Sequence, residues 1–259
     1  MIEIEDPPGF IVRTEAHKAA SANGFRLERG VNGGWLCFGS TTAQVSIWLA
    51  GASKNGPWLL SVDRAEVCAE FNLPPAEGSS GPGVATFAFD TLQALYEALD
   101  RIYRLGISLP DVPFQAFQAA VQDLPRTTEA ERLVVQRVGQ DLFRQALLAY
   151  WGGRCAMTGI TNPELLRASH IVPWAECDTD QKRLDVHNGL LLSALWDAAF
   201  DAGLVSFGDD GAPITSSRLS EAAAKALGSH FDGKLSGLTD AHRANLAWHR
   251  SRYGFIWHP

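Results

Sequence analysis

Four cysteines in 259 residues, Cys37, Cys68, Cys155 and Cys177, form no Cys-x-x-Cys pair, which argues against a zinc ribbon and a disulfide framework alike. Long apolar runs are missing too, and none reaches the length that spans a bilayer. The chain starts with Glu3, Glu5 and Asp6 where a secretory signal would be basic, so a soluble, cytoplasmic protein with no membrane partner is expected. Positive charge is in short supply. With 22 Lys and Arg against 29 Asp and Glu, the formal net charge of −7 speaks against a general nucleic-acid coat. Any protein of this balance that works on DNA must gather its cations locally. Internal repeats and low-complexity tracts are absent as well. What remains is ordinary globular composition, 46% hydrophobic and 20% charged, enough to bury one large core or two modest ones.

The pattern along the chain predicts an α+β fold in two parts. Residues 1–110 read as a mixed α/β domain. Thr14 is a candidate cap for a short helix over residues 15–20, and Asn32-Gly33-Gly34 is a hairpin turn between two apolar runs. Residues 43–49 roughly alternate as a half-buried strand, and residues 57–62 read as its neighbour. Asp90 or Thr91 opens a helix with Leu92, Leu95, Tyr96, Leu99, Ile102 and Tyr103 on its apolar face. The aromatics Trp35, Phe38, Trp48 and Trp58 read first as core and second as a pocket for a flipped or modified base. Residues 111–126, with Pro113 and Pro125, read as a linker that has room for a short helix from Phe114 to Gln122.

Residues 127–259 form the second domain. Thr127 or Thr128 opens a long helix that ends at Gly152-Gly153, with Leu133, Val134, Val138, Leu142 and Ala146 as its expected buried face. Arg132, Gln136, Gln140 and Arg144 recur every fourth residue, either as a solvated stripe or as a rail of donors for phosphate oxygens. Arg154 and Arg167 would add to such a DNA-binding surface, and Lys182 and Arg183 read first as part of a solvated loop and second as further phosphate contacts.

The most specific stretch runs from Arg154 to Gly211. Ser169-His170-Ile171-Val172-Pro173-Trp174 suits a strand leaving into a loop. Asn188-Gly189 suits a turn into the strand Leu190-Leu191-Leu192, and Ser193 a cap for a two-turn helix over residues 194–200. Asp197 and Asp201, four residues apart, project from one face of that helix. One histidine, one asparagine and two aspartates are thus brought near one another. A neutral imidazole can take a proton from water. Two carboxylates offer hard oxygen ligands for Mg²⁺ or Mn²⁺, an ion that stabilises charge on phosphate. Asn188 would hold the loop that carries His170. Taken singly, each residue has a plainer reading, a packed histidine or a solvated helix face. The joint spacing favours phosphodiester hydrolysis.

These residues resemble the HNH endonuclease family in its ββα-metal form. The likeness covers His170 with the following I-V-P, Asn188 in N-G-L-L-L, and the helix W-D-A-A-F-D-A-G-L. It extends to G-Q-x-x-F-R-x-x-L-L at 139–148, C-x-x-T-G at 155–159 and L-A-W-H-R at 246–250. The resemblance implies a ββα-metal nuclease domain with flanking helices, His170 as general base, Asn188 as the structural residue, and metal ligands at Asp197 and Asp201. It also implies a bacterial restriction or defence nuclease, with residues 1–110 recognising DNA, including modified DNA, and a single active site that needs a homodimer or two nicks to cut both strands. Ser169 departs from the family, where many members place a metal-binding Asp or His before the base. That leaves open an inactive, DNA-binding or regulatory descendant. Cys155 stands where some relatives begin a zinc knuckle, but Thr158 is no ligand, so a core thiol is expected.

Overall fold

The computed structural model describes residues 2–71, 73–78, 80–125, 127–228 and 233–257, and the chain divides into two compact units, Met1–Leu109 and Pro110–Pro259. In the first, helix α1 (Phe10–Ala22) precedes strands β1 (Leu27–Asn32), β2 (Trp35–Gly39), β3 (Ile47–Gly51) and β4 (Trp58–Val62). Helix α2 (Ala65–Phe71), strand β5 (Ala85–Phe89) and helix α3 (Leu92–Ser108) follow. The five strands lie in sequence order, all antiparallel. Gly33 and Gly34 make the two-residue β1–β2 turn with φ of 54° and 79°, a left-handed pair that favours glycine and matches strand twist.

The α1 helix starts earlier than the cap at Thr14 suggested. Thr14 is interior, and its hydroxyl donates back to the Phe10 carbonyl at 2.8 Å. In α3 the Thr91 hydroxyl accepts from the Ala94 amide at 3.2 Å, and Leu95, Leu99, Ile102 and Leu105 are buried. Trp35, Ala50 and Leu59 form one small core with Ile2, Ile4 and Trp48 packed on it. Trp58 and Phe38 are also buried, at 1% and 2% exposure. Trp35, Phe38 and Trp58 are therefore core, as first read, with Trp48 half-buried on the Trp35 cluster, and the second reading, a base pocket made from them, is set aside.

In the second unit, most of the expected linker is helix α4 (Asp111–Val121), which begins three residues before the short helix the sequence allowed from Phe114 to Gln122. Phe117 and Val121 bury themselves against Phe143, Ala146 and Leu147 of helix α5 (Glu129–Tyr150) and against Leu184 and Val186. That apolar face makes the segment structural. Arg126, the last residue of the expected linker, lies outside the described residues. The α5 helix opens with a capping box, Thr128 with Glu131. Its buried residues are Gly139, Phe143, Ala146 and Leu147. Leu133 and Val134, expected inside, are 53% and 51% exposed, because the face that meets α4 begins a turn later.

Strand β6 (Leu166–His170), helix α6 (Asp180–Leu184), strand β7 (Gly189–Ser193) and helix α7 (Ala194–Asp201) come next. Strands β8 (Val205–Phe207) and β9 (Pro213–Thr215) and helices α8 (Glu221–Gly228) and α9 (Asp240–Tyr253) complete the unit. β6 and β7 pair antiparallel, with Ser169 opposite Leu190 and His170 opposite Gly189. The α7 helix leaves β7 without a gap, giving strand, strand, helix. Leu166, Leu190, Leu192, Trp196, Phe200, Phe207 and Leu246 share its core.

Gly189 is not the turn glycine that Asn-Gly suggested. A 3₁₀ turn, Val186–Asn188, precedes it, and Gly189 opens β7 with an extended φ of −147°. A Cβ there would lie 2.6 Å from Phe143 Cζ and 2.7 Å from Leu147 Cδ1, so close packing on α5 demands the glycine.

Candidate functional site

The strand β6 divides its side chains between two neighbours. Ala168 packs in the core shared with α5, and the His170 ring stacks on Phe143 at 3.8 Å and meets the edge of Trp174 at 5.7 Å. Ser169, on the other face, donates to Asp201 Oδ1 of α7 at 3.4 Å. At the end of the strand these two faces open on one cleft of about 320 Å³, lined among others by Ser169, His170, Trp174, Asp201, His249 and Tyr253. A wider groove of about 990 Å³ between α4 and α6 has Asp180 as its one ionisable wall residue and none of the predicted site residues.

The chemistry of His170 follows from one contact. Its Nε2 lies 2.8 Å from the Arg183 carbonyl oxygen, and a carbonyl can only accept. Nε2 therefore carries the proton, and Nδ1 is the basic nitrogen. Burial lowers the ring's pKa to about 4, against a smaller upward pull from the Arg183 carbonyl. At neutral pH the imidazole is uncharged and able to accept a proton.

Asn188 is fully buried. Its Oδ1 accepts from the Val172 amide at 2.8 Å, and its Nδ2 donates to the Val172 and Lys182 carbonyls at 3.1 and 3.2 Å. The Asn188 backbone carbonyl accepts from the Ile171 amide at 2.9 Å. One amide side chain thus ties the chain just after His170 to the loop that supplies Arg183.

Asp197 and Asp201 sit one turn apart on α7. Both carboxyls are pushed up from the usual range. Shelter from solvent is the main cause for each. For Asp201 the Asp197 charge adds to it and the value reaches about 6, while Ser169 eases both and Arg167 also eases Asp197. The Asp201 residue is exposed overall, but its carboxyl end faces the cleft. Asp197 is not among the cleft-lining residues and joins the site through Ser169. Two crowded carboxylates that resist ionisation fit a cation, which would relieve both penalties. Among the described residues no group of three or more His, Cys, Asp or Glu side chains is placed to hold a metal. A cation held by Asp197 and Asp201 would need phosphate or water oxygens to complete its ligand set.

Several predicted DNA contacts hold the protein's own backbone. Arg144 donates to the Leu166 and Pro163 carbonyls, both at 2.9 Å. Arg154 donates to Gly159 O at 2.9 Å, and Arg167 to Glu164 O at 2.9 Å and Leu166 O at 3.0 Å. The Arg183 guanidinium holds the carbonyls of Trp174 and Cys177, and Lys182 Nζ donates to Asn245 Oδ1. Arg132 and Gln140 stand exposed on α5, with Gln136 half-buried between them.

The sequence did not single out Phe143, Trp174 or Tyr253 as parts of the site. The signals at hand were Phe143 in G-Q-x-x-F-R and Trp174 at the end of S-H-I-V-P-W. Tyr253 donates its hydroxyl to the Asp201 carbonyl at 2.8 Å. His249 and Arg250 are structural. The His249 ring lies flat on Phe200, donates Nε2–H to Phe200 O at 3.2 Å and accepts at Nδ1 from Ser206 at 3.0 Å. Arg250 holds Phe207 O and Asp209, each at 2.7 Å. Cys155 is a buried thiol whose sulfur accepts from the Ser193 and Thr158 amides at 3.1 and 3.3 Å. Ser193 sits at the α7 cap position without a side-chain cap bond.

Residues 155–208, from the Cys155 turn through β6, β7 and α7 to the end of β8, match the family model described as HNH endonuclease. No curated protein matches the chain.

Proposed function

We propose that this chain, whose C-terminal unit contains an HNH endonuclease domain, hydrolyses phosphodiester bonds in DNA with His170 as the general base. The observation that carries the reading is the His170 Nε2 contact to Arg183 O in the cleft that also holds Asp201. His170 Nδ1 takes a proton from a water molecule, and the resulting hydroxide attacks phosphorus. The bond to the 3′ oxygen breaks and that oxygen takes a proton from solvent water, while His170 returns its proton to solvent, leaving a 5′-phosphate and a 3′-hydroxyl. Phe143 and Trp174 hold the ring in place, and Asn188 holds the loop behind it. Asp197 and Asp201 would hold Mg²⁺ or Mn²⁺, which supplies charge neutralisation at the phosphate and the departing oxygen when bound.

Restriction or defence, in the cytoplasm, is the role we assign by resemblance to the family, with the N-terminal unit recognising a feature of the DNA. Such a feature includes base modification, although Trp35, Phe38 and Trp58 are core and do not supply its pocket. One cleft cuts one strand, so a double-strand break takes a homodimer or two successive nicks.

Plasmid nicking with Mg²⁺, Mn²⁺ or EDTA tests the reading. Nicking that needs the divalent ion and disappears in His170→Ala, with folding and DNA binding retained, is the expected result. Full nicking by His170→Ala would refute the general base. A second reading rests on Ser169, a poor ligand at the place of a family metal ligand: a DNA-binding nuclease fold without catalysis, which would bind DNA and nick under none of these conditions.

A further inference from the structure

The α6 helix is five residues long, too short to be stable on its own. The place of the Arg183 carbonyl, on which the His170 ring depends, is therefore set by tertiary ties. The residue supplies those ties itself. Its Nε donates to Trp174 O at 3.1 Å, Nη2 to Cys177 O at 2.5 Å and Nη1 to Asp180 Oδ1 at 2.8 Å. Its Cζ lies 5.8 Å from the centre of the Trp174 ring. The charged end closes the loop from Trp174 to Asp180, and the peptide end receives the imidazole N–H. Trp174 in turn touches the edge of that imidazole and fills the space beside Gly139, where a Cβ would be 2.4 Å from the indole.

We infer that Arg183 is the positioning residue for His170, acting through its guanidinium and its carbonyl together, and that it is not a phosphate contact. This deepens the general-base reading and rests on it for its catalytic consequence. A guanidinium has five N–H donors, and this one spends three on two carbonyls and a carboxylate, with its side chain 23% exposed. Moving it to a phosphate would strand those acceptors. If the guanidinium ties are lost, the Arg183 carbonyl is free to drift. The ring then populates the tautomer in which Nδ1 carries the proton, and in that form Nδ1 cannot take one from water.

The test is ¹⁵N NMR of the histidine rings in the full chain. The first arm is the unmodified protein at pH 7: a single Nε2–H tautomer at His170 is expected, and a mixture or the Nδ1–H form overturns the inference. The second arm uses Arg183→Lys and Arg183→Gln, with the His249 ring as an internal reference for the fold. Averaged His170 nitrogen shifts beside an unchanged His249 are expected. The nicking kcat should drop on the order of 10²-fold, as misplacement of a catalytic group does, with KM for DNA and the salt slope of DNA binding unchanged. Either variant keeping the single His170 tautomer overturns the positioning role. A salt slope smaller by about one restores Arg183 as a phosphate contact. Should His170→Ala nick DNA normally, the general base falls while the tautomer result still decides the role of Arg183.

Discussion

Asn188→Ala removes one side chain and disconnects two segments. The amide and the carbonyl of Val172 lose their Asn188 partners in a place where water does not reach, and the Lys182 carbonyl loses a donor. A stranded buried polar group costs ~1–3 kcal/mol, which applies to the Val172 amide, while the Val172 carbonyl keeps the Cys177 thiol at 3.5 Å and adds less. Against the ~5–15 kcal/mol that holds a domain together, the unit stays folded and the loop loosens. Residue-level amide exchange is the suitable assay, because a chain of two compact units need not unfold in one step. The Val172 amide should lose protection on the order of 10²-fold, as ~3 kcal/mol dictates. The Ile171 amide is bonded to the backbone carbonyl of residue 188 and should lose less. Asn188→Asp should be worse than alanine, since its second oxygen would face the Val172 and Lys182 carbonyls. Wild-type exchange at Val172 in Asn188→Ala would refute the argument.

His170 and His249 both have folded pKa values of about 4, depressed by burial, against ~6.5 in the unfolded chain. Unfolding therefore takes up protons between these values, so their contribution is fully present above pH 6.5 and is lost as pH falls through 4, about 3 kcal/mol for each. The urea midpoint of the C-terminal unit should fall steeply over that window, less so in His249→Gln, and equal slopes would reject it. Gly189→Ala should destabilise by ~1–3 kcal/mol through overpacking on Phe143 and Leu147; an unshifted melting temperature would count against the close-packing account. Arg144→Ala should lower stability by ~1–2 kcal/mol and leave the salt dependence of DNA binding as it was. A slope reduced by about one would show a phosphate contact instead.

What could be read from the sequence was local. The Gly33-Gly34 hairpin, the Thr91 cap and the strand–strand–helix run around His170, Asn188 and Asp197 depend on turn chemistry and spacing within a few residues. What escaped depends on partners far along the chain. Leu133 and Val134 carry the right period for burial, but the position of α4 decides which turns of α5 are covered. Arg144 and Arg183 look like phosphate ligands because side-chain type is visible in a sequence, while the backbone carbonyls they hold are not. The same holds for the Arg183 carbonyl that fixes the His170 proton, and for Gly189, whose reason lies in α5.

Asn245 of α9 accepts from Lys182 Nζ and donates to the His187 carbonyl at 2.7 Å. The smallest piece worth excising is consequently larger than its recognisable motif. A fragment cut at the borders of 155–208 would forfeit the Phe143 floor and this distal clasp. Transplanting the cutting module into another scaffold would call for both outlying helices to travel with it.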